Sequence, residues 1–198
     1  VVQGDAVHFV MPGNTEMFIP VIGVWLLHGV VSTGDPDLSE EVIAIQLTEI
    51  LAKVVFCCAD TLGKVRRAVE ITGRKIQVIV MDKAEGLKEC EHPLEALTAR
   101  DNQGRFDGDL PVTTFHENEV IMISWSSGTT GRPKGIQTGS NQFYQMSHAS
   151  IRSTKLRTTC FFHMSGFFGP RISRIAGFQT FFIPPEDLND EICLIMKV

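Results

Sequence analysis

The sequence has no surplus of basic residues. Its 198 residues contain 18 Lys and Arg against 23 Asp and Glu, which gives a formal net charge of −5 at pH 7. The positive residues are scattered among acids, so no basic surface is predicted that would attract a phosphate backbone. We therefore expect no nucleic-acid partner.

Paired metal-binding motifs are also missing. The chain has five Cys, and none of them form a C-x-x-C pair. Cys57 and Cys58 are adjacent in an apolar segment, where we expect them to pack as small hydrophobic side chains. The histidines at 92, 116 and 148 show no metal-ligand spacing, so no metal site is predicted. This use of cysteine suits a reducing compartment, and we expect a cytoplasmic location.

Long apolar runs are absent as well. The longest, Met17 to Val31, contains Pro20 and His28 and is too short to span a bilayer, so we expect no transmembrane segment. A hydrophobic content of 43% with 13 Phe is enough for one ordinary core. The first and last residues look like the inside of a domain. We therefore expect residues 1–198 to be a single, incomplete domain of a longer protein.

Short apolar segments alternate with segments of helical spacing. The predicted strands are Ala6–Met11, Val30–Ser32, Lys53–Cys58, Lys75–Met81, Val120–Trp125, Leu156–Phe162 and Phe178–Ile183. Predicted helices begin near Thr15, Ser39, Thr61 and Asn141, and a short one is predicted from Glu91 to Thr98. Nearly continuous apolar strands that alternate with helices indicate an α/β fold, with a mostly parallel sheet and helices on both faces.

One polar loop follows the strand at Val120. It reads Ser126-Ser127-Gly128-Thr129-Thr130-Gly131-Arg132-Pro133-Lys134-Gly135. Glycines let backbone N–H groups converge, hydroxyls add donors, and lysine adds a positive charge, so the loop is suited to phosphate. The common phosphate-loop pattern G-x-x-x-x-G-K-[ST] does not fit, because Pro133 precedes Lys134 and Gly135 replaces the hydroxyl residue.

The segment Trp125 to Gly135 resembles, without a gap, the signature loop of the adenylate-forming superfamily. That superfamily includes acyl-CoA synthetases, coumarate-CoA ligase-like enzymes, luciferases and adenylation domains. Met11-Pro12-Gly13-Asn14 and Phe162-His163-Met164-Ser165-Gly166 resemble further elements of the family. The resemblance implies that the chain is part of the large N-terminal domain of such an enzyme.

The resemblance also implies a function and a site. The parent protein is expected to activate a carboxylic acid with ATP and Mg²⁺ and to pass the acyl group to CoA. The residues expected to bind the ATP phosphates are Ser126, Ser127, Gly128, Thr129, Thr130, Gly131, Arg132, Pro133 and Lys134. Those expected to border the acyl-adenylate are His163 and Gly166. No residue is assigned a catalytic role.

Alternatives of other classes stay open. The family's ribose-binding aspartate and C-terminal catalytic lysine have no counterpart in the sequence, so the chain alone is expected to be inactive. It is then a non-catalytic fragment or isoform that at most binds nucleotide phosphates. An unrelated ATPase or kinase is the weaker alternative. The sequence does not identify the acid, and a peroxisomal or membrane-associated parent also stays open.

Overall fold

Seven strands form one sheet in this computed structural model, which describes residues 1–13, 16–98, 115–116, 118–126 and 132–149. The strands are β1 Ala6–Val10, β2 Val30–Gly34, β3 Val54–Cys57, β4 Gln77–Val80, β5 Glu91–Pro93, β6 Val120–Ser126 and β7 Lys134–Gly139. The helices are α1 Phe18–Leu26, α2 Glu40–Glu49, α3 Ala59–Thr72, α4 Leu94–Thr98 and α5 Ser140–Ala149. The strand order is β5-β4-β3-β1-β2-β6-β7.

The sheet is parallel except at one edge. Strands β1 to β6 pair in parallel, and β7 pairs with β6 in the antiparallel sense. Side chains alternate across the sheet, so Val7 and Phe9 pack under α1 while Val10 and Val55 pack under α2 and α3. Helices on both faces of a mostly parallel sheet confirm the predicted fold class.

Helix α1 ends at Leu26, three residues before Gly29. The Gly29 N–H donates to Val24 O at 2.8 Å and the His28 N–H donates to Trp25 O at 2.9 Å, which are the two bonds of a Schellman motif. His28 takes the left-handed conformation, with φ 55°, that this motif usually gives to glycine. Gly29 is needed for space, because a Cβ there would lie 2.8 Å from Val24 Cγ1.

Two strands were not predicted. The segment Glu91–Pro93, expected to open a helix, pairs with β4 before α4 begins, and it is too short to show a two-residue period. The sequence of β7 is Lys-Gly-Ile-Gln-Thr-Gly, in which glycine and polar residues weaken the strand pattern. The strands predicted at Leu156–Phe162 and Phe178–Ile183 lie outside the described residues. No helix in the described part of the chain is long and apolar enough to cross a membrane.

Candidate phosphate-binding site

The polar loop connects the two strands of a hairpin. Ser126 is the last residue of β6, Lys134 is the first residue of β7, and these two residues are paired in the antiparallel register. We call β6, β7 and the residues between them the β6–β7 hairpin. Because β6 is parallel to β2, its tip lies at the edge where β1 to β5 end, which we call the carboxyl edge. Ligands of open α/β sheets bind at this edge.

No helix begins directly after the loop. Strand β7 runs back across the sheet, and the first residue of α5, Ser140, donates its N–H to Glu119 O at 2.9 Å, just before β6 starts. The N-terminus of α5 therefore lies at the opposite edge of the sheet. A phosphate at the tip of the hairpin would be held by loop groups and Lys134, without the helix dipole that common phosphate loops use.

The structure places four of the predicted site residues. Ser126 and Pro133 are half-buried, whereas Arg132 and Lys134 are exposed. The pairing of Ser126 with Lys134 brings a hydroxyl and an ammonium group to the same end of the hairpin. The remaining predicted residues, Ser127 to Gly131, His163 and Gly166, lie outside the described residues, and their roles stay predictions.

Arg132 is bound by an acid. Its Nη2 donates to Glu49 Oε1 of α2 at 2.7 Å, and both side chains are partly exposed. The guanidinium group therefore contacts α2 in this structure. A nucleotide phosphate would have to compete with the Glu49 carboxylate for this guanidinium group.

A buried polar cluster lies behind the hairpin and was not predicted. The Trp125 indole N–H donates to Ser32 Oγ at 2.9 Å, and Ser32 Oγ lies 3.0 Å from His8 Nδ1. His8 and Ser32 are fully buried. The one clue in the sequence was the position of a histidine inside the apolar strand β1, but its partners are 24 or more residues away.

The far side of the His8 ring approaches α2. His8 Nε2 and Gln46 Oε1 are buried and form no hydrogen bond of standard geometry. Burial lowers the pKa of His8 to about 4, and the nearby Gln46 side chain opposes this effect without reversing it. His8 is therefore neutral at neutral pH.

The absence of a side chain at Gly34 leaves room for both of these groups. A Cβ at this position would lie 2.7 Å from His8 Nε2 and 2.9 Å from Gln46 Oε1. Both side chains are fully enclosed, so neither can move aside without disturbing the packing between the sheet and α2.

We expect Gly34→Ala to lower the free energy of unfolding by about 1–3 kcal/mol, the usual effect of overpacking. Urea unfolding measures the change. Gly63→Ala is the matched control, because Gly63 is in α3 and a Cβ there would meet nothing within 4 Å. That control should stabilise the helix by about 0.5–1 kcal/mol. A Gly34→Ala variant as stable as the wild type would contradict the expectation.

Cys57 and Cys58 pack in the apolar cores, as predicted from the sequence. Cys57 is fully buried in the core under α2 and α3, and burial raises the pKa of its thiol to about 12. Cys58 is half-buried and packs against the core under α1. Within the described ranges, no group of three or more His, Cys, Asp or Glu is arranged to hold a metal ion.

With the hairpin and its surroundings defined, comparison with known proteins identifies the family. The model of the AMP-binding enzyme family matches residues 1–197, and the chain belongs to this family. A 4-coumarate–CoA ligase of Humulus lupulus is 27% identical over 136 residues, which are 68% of this chain and 23% of that protein. A 4-coumarate–CoA ligase of Petroselinum crispum is 27% identical over 135 residues, with the same coverage. The match thus spans about a quarter of the length of these relatives.

Solved structures show the same fold. The luciferase-like enzyme of the mealworm Zophobas morio superposes with a TM-score of 0.82 at 20% identity, over 99% of this chain and 45% of that one. The o-succinylbenzoate CoA synthetase of Bacillus subtilis, in complex with its acyl-adenylate intermediate, gives a TM-score of 0.71 at 18% identity. That match covers 98% of this chain and 47% of the synthetase. These structures confirm the predicted fold, and the family model confirms the resemblance to the AMP-binding, adenylate-forming enzymes.

Proposed function

We propose that the protein containing this chain activates a carboxylic acid with ATP and transfers the acyl group to CoA. In the first step the carboxylate forms a bond to the α-phosphate of ATP and pyrophosphate leaves. In the second step the CoA thiol takes the acyl group and AMP is released. The match to the AMP-binding enzyme family over residues 1–197 carries the proposal.

The geometry of the hairpin fits a polyphosphate ligand. Ser126 and Lys134 are paired at the carboxyl edge, where the ammonium group is exposed. We propose that they hold the phosphates together with Ser127, Gly128, Thr129, Thr130 and Gly131, and that His163 and Gly166 border the acyl-adenylate. Such groups act by positioning the phosphates and by stabilising charge that develops on them. Mg²⁺ would offset charge on the triphosphate itself.

Acid-dependent exchange of label between pyrophosphate and ATP tests this function in the full-length protein. We expect exchange with at least one acid in a panel of fatty and aryl carboxylic acids, because the first step is reversible. Omission of the acid is the control and should abolish the exchange. Absence of exchange with every acid would contradict the proposal.

The alternative for the 198-residue chain by itself is binding without catalysis. Its motivation is the limited span of the chain relative to the CoA ligases that it matches. Titration calorimetry of this chain with ATP and with pyrophosphate measures binding, and an exchange assay of the same sample measures turnover. Turnover by the chain alone would rule out the alternative.

The contact between Arg132 and Glu49 gives a further prediction. If Arg132 binds phosphate, Glu49→Gln removes the competing carboxylate, and we expect the Kd for pyrophosphate to fall by about two- to threefold, as the weak exposed pair suggests. Titration calorimetry of the full-length protein checks the change.

Glu40→Gln is the matched control for this variant. Glu40 is also on α2 and accepts a hydrogen bond from Arg67 at 3.0 Å, in a pair of similar exposure. Glu40→Gln removes an equivalent ion pair that does not involve the hairpin, so the Kd for pyrophosphate should equal that of the wild type. Equal affinities for both variants would show that Arg132 does not contribute to phosphate binding.

A further inference from the structure

In the buried cluster behind the hairpin, one hydrogen bond has a fixed direction. An indole N–H can only donate, so Ser32 Oγ accepts from Trp125. Ser32 Oγ also lies 3.0 Å from His8 Nδ1, which accepts the Ser32 hydrogen when the imidazole hydrogen is on Nε2. A neutral imidazole that accepts at Nδ1 carries its hydrogen on Nε2, the atom that faces Gln46 across Gly34.

This chain of hydrogen bonds ends at Trp125, close to the tip of the β6–β7 hairpin. Trp125 immediately precedes Ser126 and is paired with Gly135, the residue that follows Lys134. The indole ring also lies against Gly135, since a Cβ there would be 3.6 Å from Trp125 Cη2 and Cζ3. The indole ring of Trp125 therefore belongs to β6 and lies against β7, the two strands beside the candidate phosphate-binding loop.

The other end of the chain is fixed in the core. His8 and Ser32 are paired on β1 and β2, the adjacent central strands, and both are fully buried. The His8 ring meets the Trp125 ring edge-on, with centroids 6.5 Å apart and planes at 90°. The indole is thus held by a hydrogen bond and by an aromatic contact, both from the rigid part of the sheet.

We propose that His8 and Ser32 are positioning residues for the phosphate-binding loop, and that they act through the indole N–H of Trp125. The directed chain from Trp125 through Ser32 to His8 holds the indole ring over Gly135 and keeps Ser126 and Lys134 at the spacing that a polyphosphate requires. This inference rests on the proposed function of the hairpin. It adds three residues, none of which touches the ligand.

Trp125→Phe tests the positioning role, because it removes the N–H together with the outer ring atoms that lie against Gly135, whereas Ser32→Ala removes only the hydroxyl that accepts from the N–H. In the exchange assay with the full-length protein, we expect the KM for ATP to rise about three- to tenfold, the range for one lost buried hydrogen bond. Ser32→Ala should give a similar rise. The double variant should rise no further than either single one, because both changes break the same chain.

Trp25→Phe is the matched control. The Trp25 indole N–H also donates to β6, at 2.8 Å to Ile121 O, but from the α1 side of the sheet. Trp25→Phe loses the same kind of bond, so its free energy of unfolding should fall by about as much as that of Trp125→Phe. Its KM for ATP should stay within about twofold of the wild type. If Trp25→Phe and Trp125→Phe raise the KM equally, the cluster is only structural and the proposal is overturned.

A spectroscopic measurement separates this proposal from the proposed function. Two-bond ¹H–¹⁵N correlation spectra of the wild type report which imidazole nitrogen of His8 carries hydrogen, and assignment comes from a His8→Gln variant. Hydrogen on Nε2 supports the directed chain, and hydrogen on Nδ1 overturns it. If the wild-type protein shows no exchange with any acid, the proposed function fails, and the positioning role is overturned with it.

Discussion

Lys134→Ala is expected to lower the rate of acid-dependent ATP–pyrophosphate exchange by about 100-fold, the usual cost of removing one preorganised charged donor. Lys134 is paired with Ser126 at the tip of the β6–β7 hairpin, and its side chain is exposed there. The helix dipole that assists common phosphate loops points elsewhere, because α5 begins at the opposite edge of the sheet. At the proposed site we therefore expect Lys134 to supply a larger share of the charge stabilisation than the lysine of a common phosphate loop does.

The stability of the Lys134→Ala variant should hardly change. An exposed side chain contributes little packing, so the free energy of unfolding should stay within about 0.5 kcal/mol of the wild type. Lys134→Arg keeps the charge and should recover part of the exchange rate. The recovery stays partial because the planar guanidinium group does not match the position of an ammonium group.

Lys75→Ala is the control for the loss of a positive charge. Lys75 is exposed and lies just before β4, at the edge of the sheet away from the loop. Its exchange rate should equal that of the wild type. If both alanine variants retain full activity, Lys134 is not a phosphate ligand and the proposed site is wrong.

The sequence predicted five of the six parallel strands, β1 to β4 and β6, because their central residues are buried on both faces. Val7, Phe9 and Val10 in β1 are almost fully buried, and such strands appear as continuous apolar runs. Strand β7 lies at the edge of the sheet and is exposed at four of its six positions, so hydrophobicity does not mark it. Its pairing follows from the return of the chain at the hairpin, which no short window of sequence shows.

The candidate site also has one part that the sequence predicted and one part that it did not. The order of residues from Ser126 to Lys134 was enough to predict phosphate binding, because the chemistry is local to one loop. The cluster of His8, Ser32 and Trp125 unites three strands that are far apart along the chain, and only the strand order β1-β2-β6 brings them together. Its partners could not be predicted before that order was known.

The unpredicted strand β5 depends on one buried ion pair. Arg66 of α3 donates from Nε to Glu91 Oε1 at 2.7 Å and from Nη2 to Oε2 at 2.6 Å. The Glu91 side chain is only 4% exposed, and the Lys88 N–H is its other hydrogen-bond donor among the described residues. The hydrogen bond from Arg66 holds the pKa of the Glu91 carboxyl below its usual value, against the opposing effect of burial.

Arg66→Ala should lower the free energy of unfolding by about 3 kcal/mol at neutral pH, the low end of the range for a broken buried pair. The low end applies because Arg66 is itself one quarter exposed. Stability is lost because the Glu91 carboxylate stays buried with only the Lys88 N–H as donor, and not only because its attraction to Arg66 is removed. Urea unfolding of the full-length protein measures it. A double variant, Arg66→Met with Glu91→Leu, should return to within about 1 kcal/mol of the wild type, because no buried charge remains.

Acid should narrow the difference between Arg66→Ala and the wild type. In the wild type the pair contributes its full stability above the unfolded carboxyl pKa of about 4.3, and this contribution is lost as the pH falls through the lower folded-state pKa. In the variant, burial without the guanidinium group favours the neutral form of the Glu91 carboxyl. The loss of stability caused by the buried carboxylate is therefore largest at neutral pH, and it shrinks as the carboxyl takes up a proton. The unfolding curves of the wild type and of Arg66→Ala should therefore lie closer together at about pH 4 than at about pH 7. A difference that stays constant between these two conditions would show that Arg66 stabilises α3 and β5 through its packing, without a contribution from the charge of Glu91.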